Sequence, residues 1–136
     1  MTDKYFVIDV NVLISAFLFA RSKPRQALDK AQNIGIVLLS DAVLAELIEV
    51  LTRPKFDRYI SKRIKEQLTN ELAQTALFLD PNEQITECRD VKDNKYLELA
   101  IAGKAQCIMT GDRDLLVLNP FREIPIVTVE QFLAEY

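Results

Sequence analysis

The sequence contains no histidine and only two cysteines, and these shortages exclude several kinds of chemistry. Without an imidazole there is no Ser-His or Cys-His nucleophilic scheme and no histidine-ligated zinc. Cys88 and Cys107 are too few for a disulfide scaffold or a cysteine-based zinc site, so we interpret them as thiols in a reducing cytoplasm. Any catalysis must therefore use carboxylates, lysine, tyrosine, hydroxyls or a metal ion with oxygen ligands.

Long apolar runs and a signal segment are also missing. No apolar run approaches the roughly 20 residues that a membrane span needs. The first residues, Met1-Thr2-Asp3-Lys4, lack the basic flank and cleavage site of a secretory signal. We therefore expect a cytoplasmic protein with no membrane partner, folded as a single domain over residues 1–136.

Charge is unevenly divided along the chain. Residues 1–65 carry 11 Lys+Arg and 7 Asp+Glu, a net charge of +4, whereas residues 66–136 carry 6 and 13, a net charge of −7. This asymmetry is typical of a metal-dependent enzyme that acts on nucleic acid, but it also fits a protein whose surfaces simply differ.

Short apolar runs alternate with helical patterns along the chain. The runs predict buried strands at about 4–10, 36–39, 107–110 and 124–127, the last at a sheet edge because it contains Pro125. Between and after them, apolar spacing near 3.6 predicts helices over about 12–17, 24–33, 41–51, 61–78 and 95–105, a turn at 115–118 and a last helix opened by a Thr128–Gln131 capping box. Residues 83–87 suit a short edge strand or an extended arm. The alternation predicts an α/β domain with a central, mainly parallel sheet.

Acidic residues occur where this architecture would gather them at one sheet edge. Right-handed crossovers place the ends of parallel strands together, at the edge where ligands bind in such sheets. The acids are Asp9 after the first strand, Glu46 in the helix after the second, Asp93 with Asp90 before the helix that precedes the third, and Asp112 with Asp114 after the third. Asp93 and Asp112 could each be only a helix cap, and Glu46 only a solvent-facing residue. Asp9 is harder to explain that way, because its apolar neighbours imply burial.

Taken together, these carboxylates indicate a site for a hard cation. Mg²⁺ and Mn²⁺ prefer oxygen ligands, and clustered carboxylates without a cation would repel one another. Such an ion activates water and stabilises the charge that develops on a phosphodiester during hydrolysis. This chemistry needs no histidine, in agreement with the composition.

Five segments, taken in order, carry a resemblance to a known family. They are Tyr5 to Ala16, Leu38-Leu39-Ser40 with Glu46, Arg53 to Phe56, Asp90 to Ala100 and Thr110 to Leu116. As a set they resemble the PIN domain, and most closely the branch of toxin components of prokaryotic toxin–antitoxin pairs. The resemblance covers nearly the whole chain. It implies a Rossmann-like three-layer fold with about four to five sheet strands, flanked by helices.

The resemblance also implies a Mg²⁺ or Mn²⁺ site and endoribonuclease activity on single-stranded RNA. The family's four acids correspond to Asp9, Glu46, Asp93 and Asp112, with Asp114 as a further metal-site acid. Asp9 and Asp112 are expected to hold the metal from the strand ends, Asp93 to complete its coordination, and Glu46 to orient water or bind a second ion. Supporting positions correspond to Asn11, Ser40, Asp90 and Thr110. A homodimer and a cognate antitoxin protein are the implied partners.

Basic residues provide candidate RNA contacts. The stretch 53–65 holds six Lys/Arg against Asp57 alone, with Phe56 and Tyr59 among them, and suits an RNA backbone track or a solvated helical face. The RNA-contact candidates are Arg21, Lys23, Arg25, Lys55 and Arg58.

Two other functions compete with the nuclease. One is a non-catalytic α/β module that binds nucleic acid or protein and uses its acids as structural caps. The other is a phosphate-transfer or receiver domain with Asp9 as nucleophile. The Asp9-Val10-Asn11 context disfavours it, since it lacks a second acid at the +2 position.

Overall fold

The computed structural model of the chain describes residues 3–136, and a parallel sheet of five strands runs through that part of the molecule. The strands are β1 Tyr5–Ile8, β2 Ile36–Leu39, β3 Leu77–Phe78, β4 Cys107–Met109 and β5 Ile126–Val127. Their order across the sheet is β3-β2-β1-β4-β5, and each neighbouring pair is parallel. The predicted α/β fold with a mainly parallel sheet is confirmed, and β5 lies at an edge as expected.

Seven α-helices flank the sheet within the described residues. They are α1 Val10–Leu18, α2 Lys23–Ile34, α3 Asp41–Leu51, α4 Lys62–Thr75, α5 Asn94–Gly103, α6 Arg113–Leu116 and α7 Val129–Glu135. Two 3₁₀ turns, Pro54–Phe56 and Val91–Asp93, lie before α4 and α5. Thr128 and Gln131 form the predicted capping box that opens α7. None of the helices over residues 3–136 combines the length and the apolar character needed to cross a bilayer.

Register in the centre of the sheet decides which residues meet at its carboxyl edge. Phe6 of β1 lies opposite Cys107 of β4, and Ile8 lies opposite Met109. The next residues on these strands are Asp9 and Thr110, so they emerge side by side. The Asp9 N–H donates to the Met109 carbonyl at 2.9 Å, which fixes this alignment at the last pair.

Helix α5 packs across the middle of the sheet. Its residues extend from the candidate site to the opposite edge of the sheet. It contacts β1, β2 and β4. At its carboxyl end, a Cβ on Gly103 would lie 2.3 Å from Leu38 Cδ1, so the absence of a side chain lets the helix approach β2 closely. Leu97, Leu99 and Ala100 are fully buried on this helix, which anchors its amino end beside the strand ends.

The structure corrects the predicted 61–78 helix and decides between the two alternatives for 83–87. Helix α4 ends at Thr75, Ala76 is extended, and Leu77–Phe78 form β3 by pairing with Leu38 and Leu39. Pairing with the unsatisfied edge of β2 outweighs three further residues of helix. Residues 83–87 form no strand. They are an extended arm whose Ile85 is buried and whose Ile85 N–H donates to Glu98 at 2.9 Å.

Candidate active site

Asp9 is buried at the end of β1 and is held by two hydrogen bonds. Only 3% of the residue is exposed. Its Oδ1 accepts the Asn11 backbone N–H at 3.0 Å, which makes Asp9 the N-cap of α1. Its Oδ2 accepts the hydroxyl of fully buried Thr110 at 2.7 Å. The carboxylate is therefore fixed in one orientation at the sheet edge.

Thr110 connects Asp9 to Asp112. While its hydroxyl donates to Asp9, its Oγ1 accepts the Asp112 N–H at 3.0 Å. Asp112 in turn caps α6, because its Oδ1 accepts the Asp114 N–H at 2.9 Å. A single buried threonine thus sets the positions of two acidic residues from neighbouring strands.

Asp90, Asp93 and Asp112 form the tightest acidic cluster in the described chain, hereafter the three-aspartate cluster. One carboxylate oxygen from each lies within 4.8 Å of the others. Asp93 is 7% exposed, and no hydrogen-bond donor among residues 3–136 reaches its buried Oδ2. A buried carboxylate oxygen without a donor is costly, and either a proton or a bound cation would relieve this cost.

Glu46 lies on α3 and is held by two residues of α5. The Tyr96 hydroxyl donates to Glu46 Oε1 at 2.5 Å, and Lys95 Nζ lies 3.2 Å from the same oxygen. Tyr96 is fully buried, and its oxygen also accepts the Val10 N–H at 3.1 Å, beside Asp9. Tyr96 thus joins Glu46 to the first turn of α1 by hydrogen bonds. Thr110 joins Asp9 to Asp112 in the same manner.

Mutual repulsion and burial shift the protonation of these acids. Burial, contact with the Asp112 carboxylate and the charges of Asp112, Asp9 and Asp90 together raise the pKa of Asp93 to about 8. The same contact with Asp93 lowers the pKa of Asp112. Burial raises the pKa of Asp9 above its ordinary value, against the hydrogen bonds from Thr110 and Asn11, and nearby Glu46 raises it further.

The donor set suits a hard divalent cation. Three carboxylates face one another, and one of their oxygens is buried without a donor. A divalent ion would relieve their repulsion and satisfy the orphaned Asp93 Oδ2. Asp9, adjacent to the cluster through Thr110, has lone pairs left on both oxygens, since each accepts a single hydrogen bond.

The predicted supporting residues differ in how they contact the acidic residues of the site. Ser40 caps α3 by accepting the Val43 N–H at 3.3 Å, and Asn11 reaches Asp9 through its backbone. Asp114 contacts Asp112 through its N–H, and its side chain is not in the three-aspartate cluster. Asp90, expected in a supporting role, contributes an oxygen to the cluster itself.

The candidate RNA contacts are spread over two exposed segments. Arg21 precedes α2, Lys23 is its first residue, and Arg25 forms an ion pair with Asp29 at 3.1 Å. Lys55 and Arg58 lie over the rings of Phe56 and Tyr59, at 5.1 Å and 5.4 Å from the ring centroids.

Lys65 differs from the rest of the basic stretch. It is buried and pairs with Asp57 at 2.7 Å. Its ammonium is therefore used within the protein, whereas Lys62 and Arg63 beside it are exposed.

Sequence reasoning assigned no role in the site to Lys95 or Tyr96. Tyr96 fits the apolar face of α5 as well as a phenylalanine would, and its hydroxyl is the only hint of a polar partner. Both residues lie within one turn of Asp93, so proximity to that acid was the signal that could have found them.

Comparison with known proteins agrees with this arrangement. The family model described as PIN domain matches residues 5–114, which contain all of the acidic residues described above. The chain belongs to the PIN-domain family. Members of this family are generally nucleases. The match covers the strand ends, the three-aspartate cluster and Glu46, so the site lies within the PIN-domain match.

Individual relatives are similar over almost the full chain. An uncharacterized protein of Methanocaldococcus jannaschii, MJ1680, is 33% identical over 141 residues, covering 96% of this chain and 90% of its own length. Two solved structures, at 15% identity, have the same fold with a TM-score of 0.63. One, VapBC2 from Rickettsia felis bound to a DNA fragment from its promoter, covers 91% of this chain and 98% of its own. The other, PAE2754 from Pyrobaculum aerophilum, covers 97% of this chain and 88% of its own.

Proposed function

We propose that this PIN domain is an endoribonuclease that cleaves single-stranded RNA with Mg²⁺ or Mn²⁺. The observation that carries the proposal is the buried Asp93 Oδ2, which has no donor among residues 3–136 and faces two further carboxylates. A divalent cation would satisfy this group and would hold the three carboxylates together in their ionised form. Family membership supplies the class of reaction, since PIN domains are generally nucleases.

Asp93 and Asp112 are the principal ligands in this proposal, with Asp90 and Asp9 completing the set. Asp93 contributes the orphaned oxygen, and Asp112 is fixed by Thr110 and by its own cap on α6. Asp114 supports Asp112 through its backbone. When bound, the cation supplies electrostatic stabilisation of the phosphodiester and lowers the pKa of water.

Glu46 is the residue that orients the attacking water. Its Oε1 is occupied by Tyr96 and Lys95, while Oε2 accepts no hydrogen bond from the described residues. Oε2 therefore is available to accept a proton from water approaching the phosphate. Tyr96 keeps this carboxylate in place by bonding at once to Glu46 and to the Val10 N–H beside Asp9.

The biological role we propose is that of the toxin in a toxin–antitoxin pair. The similarity in fold to VapBC2, whose structure is of a complex with promoter DNA, supports it, as does the branch of the family that the motifs resemble. A cognate antitoxin, a homodimer and a cytoplasmic location, where RNA is available, follow from this role.

One set of observations favours the second candidate, a non-catalytic binding module. Asp9, Asp90 and Asp112 each cap a helix or 3₁₀ turn with the side chain, as a structural role requires. Asp93 does not fit that account. It precedes α5 without forming a side-chain cap, and its oxygen stays buried and unpartnered.

The test is cleavage of a single-stranded RNA by the purified protein with Mn²⁺, with EDTA as the metal-free arm. The wild type should cleave, EDTA should stop it, and Asp9→Asn should slow it by about a hundredfold or more, since loss of a fixed ligand weakens both metal binding and transition-state stabilisation. Asp3→Asn, at an exposed aspartate before β1 and so at the opposite edge of the sheet, is the matched control and should cleave normally. Equal rates for Asp9→Asn and wild type would refute the proposal.

A further inference from the structure

Lys95 places a fixed positive charge beside Glu46. Its side chain is 15% exposed, and its Nζ makes three contacts: Glu46 Oε1 at 3.2 Å, the Lys92 carbonyl at 2.5 Å and the Tyr96 ring, whose centroid is 5.1 Å away. Three contacts of different kinds hold the ammonium in one place. It is therefore a built feature of the site.

The position of Lys95 divides the acids into two groups. Glu46 already has a cation and a hydroxyl donor on the same oxygen. In the three-aspartate cluster, the charge of Lys92 acts on Asp112, but Asp93 Oδ2 has no donor within residues 3–136. The demand for an added cation is thus concentrated on the aspartates, and Glu46 is satisfied by the protein.

We propose that Lys95 takes the place of a second metal ion, so that the site binds a single divalent cation, at the three-aspartate cluster. This inference rests on the proposed function, because it concerns how many ions that site holds. An ammonium beside Glu46 repels a further divalent ion there and neutralises the charge that would attract one. The number of ions that the site binds is then set by a residue that contacts no metal.

The experiment is a calorimetric titration of the full chain with Mn²⁺, with no RNA present. Wild type should bind one ion per chain. Lys95→Met, which keeps the length of the side chain and removes its charge, should gain a second binding event, with affinity at least about tenfold above any second site in wild type. Lys95→Arg keeps a cation and should bind one ion.

Two matched variants identify where the second ion binds. Lys92→Met removes a positive charge from the same turn without removing the contact to Glu46, and should keep one site. Lys95→Met combined with Glu46→Gln should lose the second event, since the carboxylate that holds it has gone. Circular dichroism melts establish that each variant is folded.

The outcomes distinguish a failure of this inference from a failure of the proposed function on which it rests. Two ions per wild-type chain, or one ion per chain in a folded Lys95→Met, would overturn the role of Lys95 while leaving a metal-dependent nuclease intact. No Mn²⁺ binding to the wild type would overturn the proposed function, and the inference with it.

Discussion

Thr110 shows how one side chain organises two acidic residues. It is fully buried, donates to Asp9 and accepts from the Asp112 backbone. Valine has nearly the same shape and neither hydrogen-bonding capability. Thr110 lies between β4 and α6, and its two hydrogen bonds are what join the two strand ends into one site.

Thr110→Val should therefore lower the free energy of unfolding by about 1–3 kcal/mol, because it leaves a half-buried backbone N–H and a buried carboxylate oxygen without a partner. RNA cleavage should fall more than stability alone explains. Urea unfolding measures the first effect. The control is Thr86→Val, at an exposed threonine, which should stay within about 0.5 kcal/mol of wild type. A Thr110→Val protein as stable as that control would refute this role of the threonine.

Asp93 makes the free energy of unfolding depend on pH, and its raised pKa decides the sign of that dependence. Its pKa rises from 3.8 to about 8 on folding without metal, so between these values the folded state binds more protons than the unfolded state. The contribution of Asp93 is present at low pH and is lost as pH rises through this range.

Asp93→Asn removes this titration while keeping the shape of the protonated side chain. In metal-free buffer, the melting temperature of the variant minus that of wild type should increase as pH rises from about 4 to about 8. Thermal melts across this range in EDTA measure it. A constant or decreasing difference would show that Asp93 ionises freely in the folded protein.

At the scale of elements, the junction between β1 and β2 depends on Gly35. A Cβ there would lie 2.2 Å from the Lys4 carbonyl oxygen and 2.8 Å from the Phe6 ring. The Lys4 oxygen also accepts the Ile36 N–H at 2.8 Å, so it cannot move away without breaking the pairing.

Gly35→Ala should destabilise the protein by about 1–3 kcal/mol through this overpacking. Gly111→Ala is the matched control, because nothing lies within 4 Å of a Cβ at that position. Chemical unfolding of both variants measures the contrast. Equal stability of the two would mean that the strands separate easily at this junction.

Sequence patterns predicted every helix and four of the five strands in the described residues, and missed β3. Amphipathic spacing and the Ser40 cap were sufficient for α3, and β1, β2 and β4 followed from continuous apolar runs. The two-residue strand β3 has no such signal. Its existence depends on pairing with β2, a tertiary contact that local sequence does not encode.

The residues of the candidate site also differ in how far the sequence alone could place them. The positions of Asp9 and Asp112 at one edge of the sheet were predictable, because strand ends in a parallel sheet meet there. The place of Asp90 in the cluster depends on the fold of the turn before α5, where Asn94 Oδ1 accepts the Cys88 N–H at 2.8 Å. That loop geometry is not visible in the residue types alone.

At the scale of the molecule, the basic half should guide RNA toward the acidic edge. Lys55→Gln with Arg58→Gln, made in an Asp9→Asn background, should reduce the salt dependence of RNA binding, by about 0.7 in the log–log slope for each phosphate that the variant no longer binds. The control pair, Lys4→Gln with Lys104→Gln, lies before β1 and β4 at the opposite edge of the sheet and should leave the slope unchanged. Fluorescence anisotropy over a range of salt measures it, and equal slopes for the two pairs would contradict the guidance.

The proposed chemistry depends above all on the three-aspartate cluster being a divalent-cation site. The most direct measurement is anomalous diffraction at the manganese edge from crystals grown with Mn²⁺. We expect an anomalous peak in contact with Asp93 Oδ2 and with Asp112. An ordered, solvent-accessible cluster without such a peak at saturating Mn²⁺, or a peak elsewhere in the molecule alone, would contradict it.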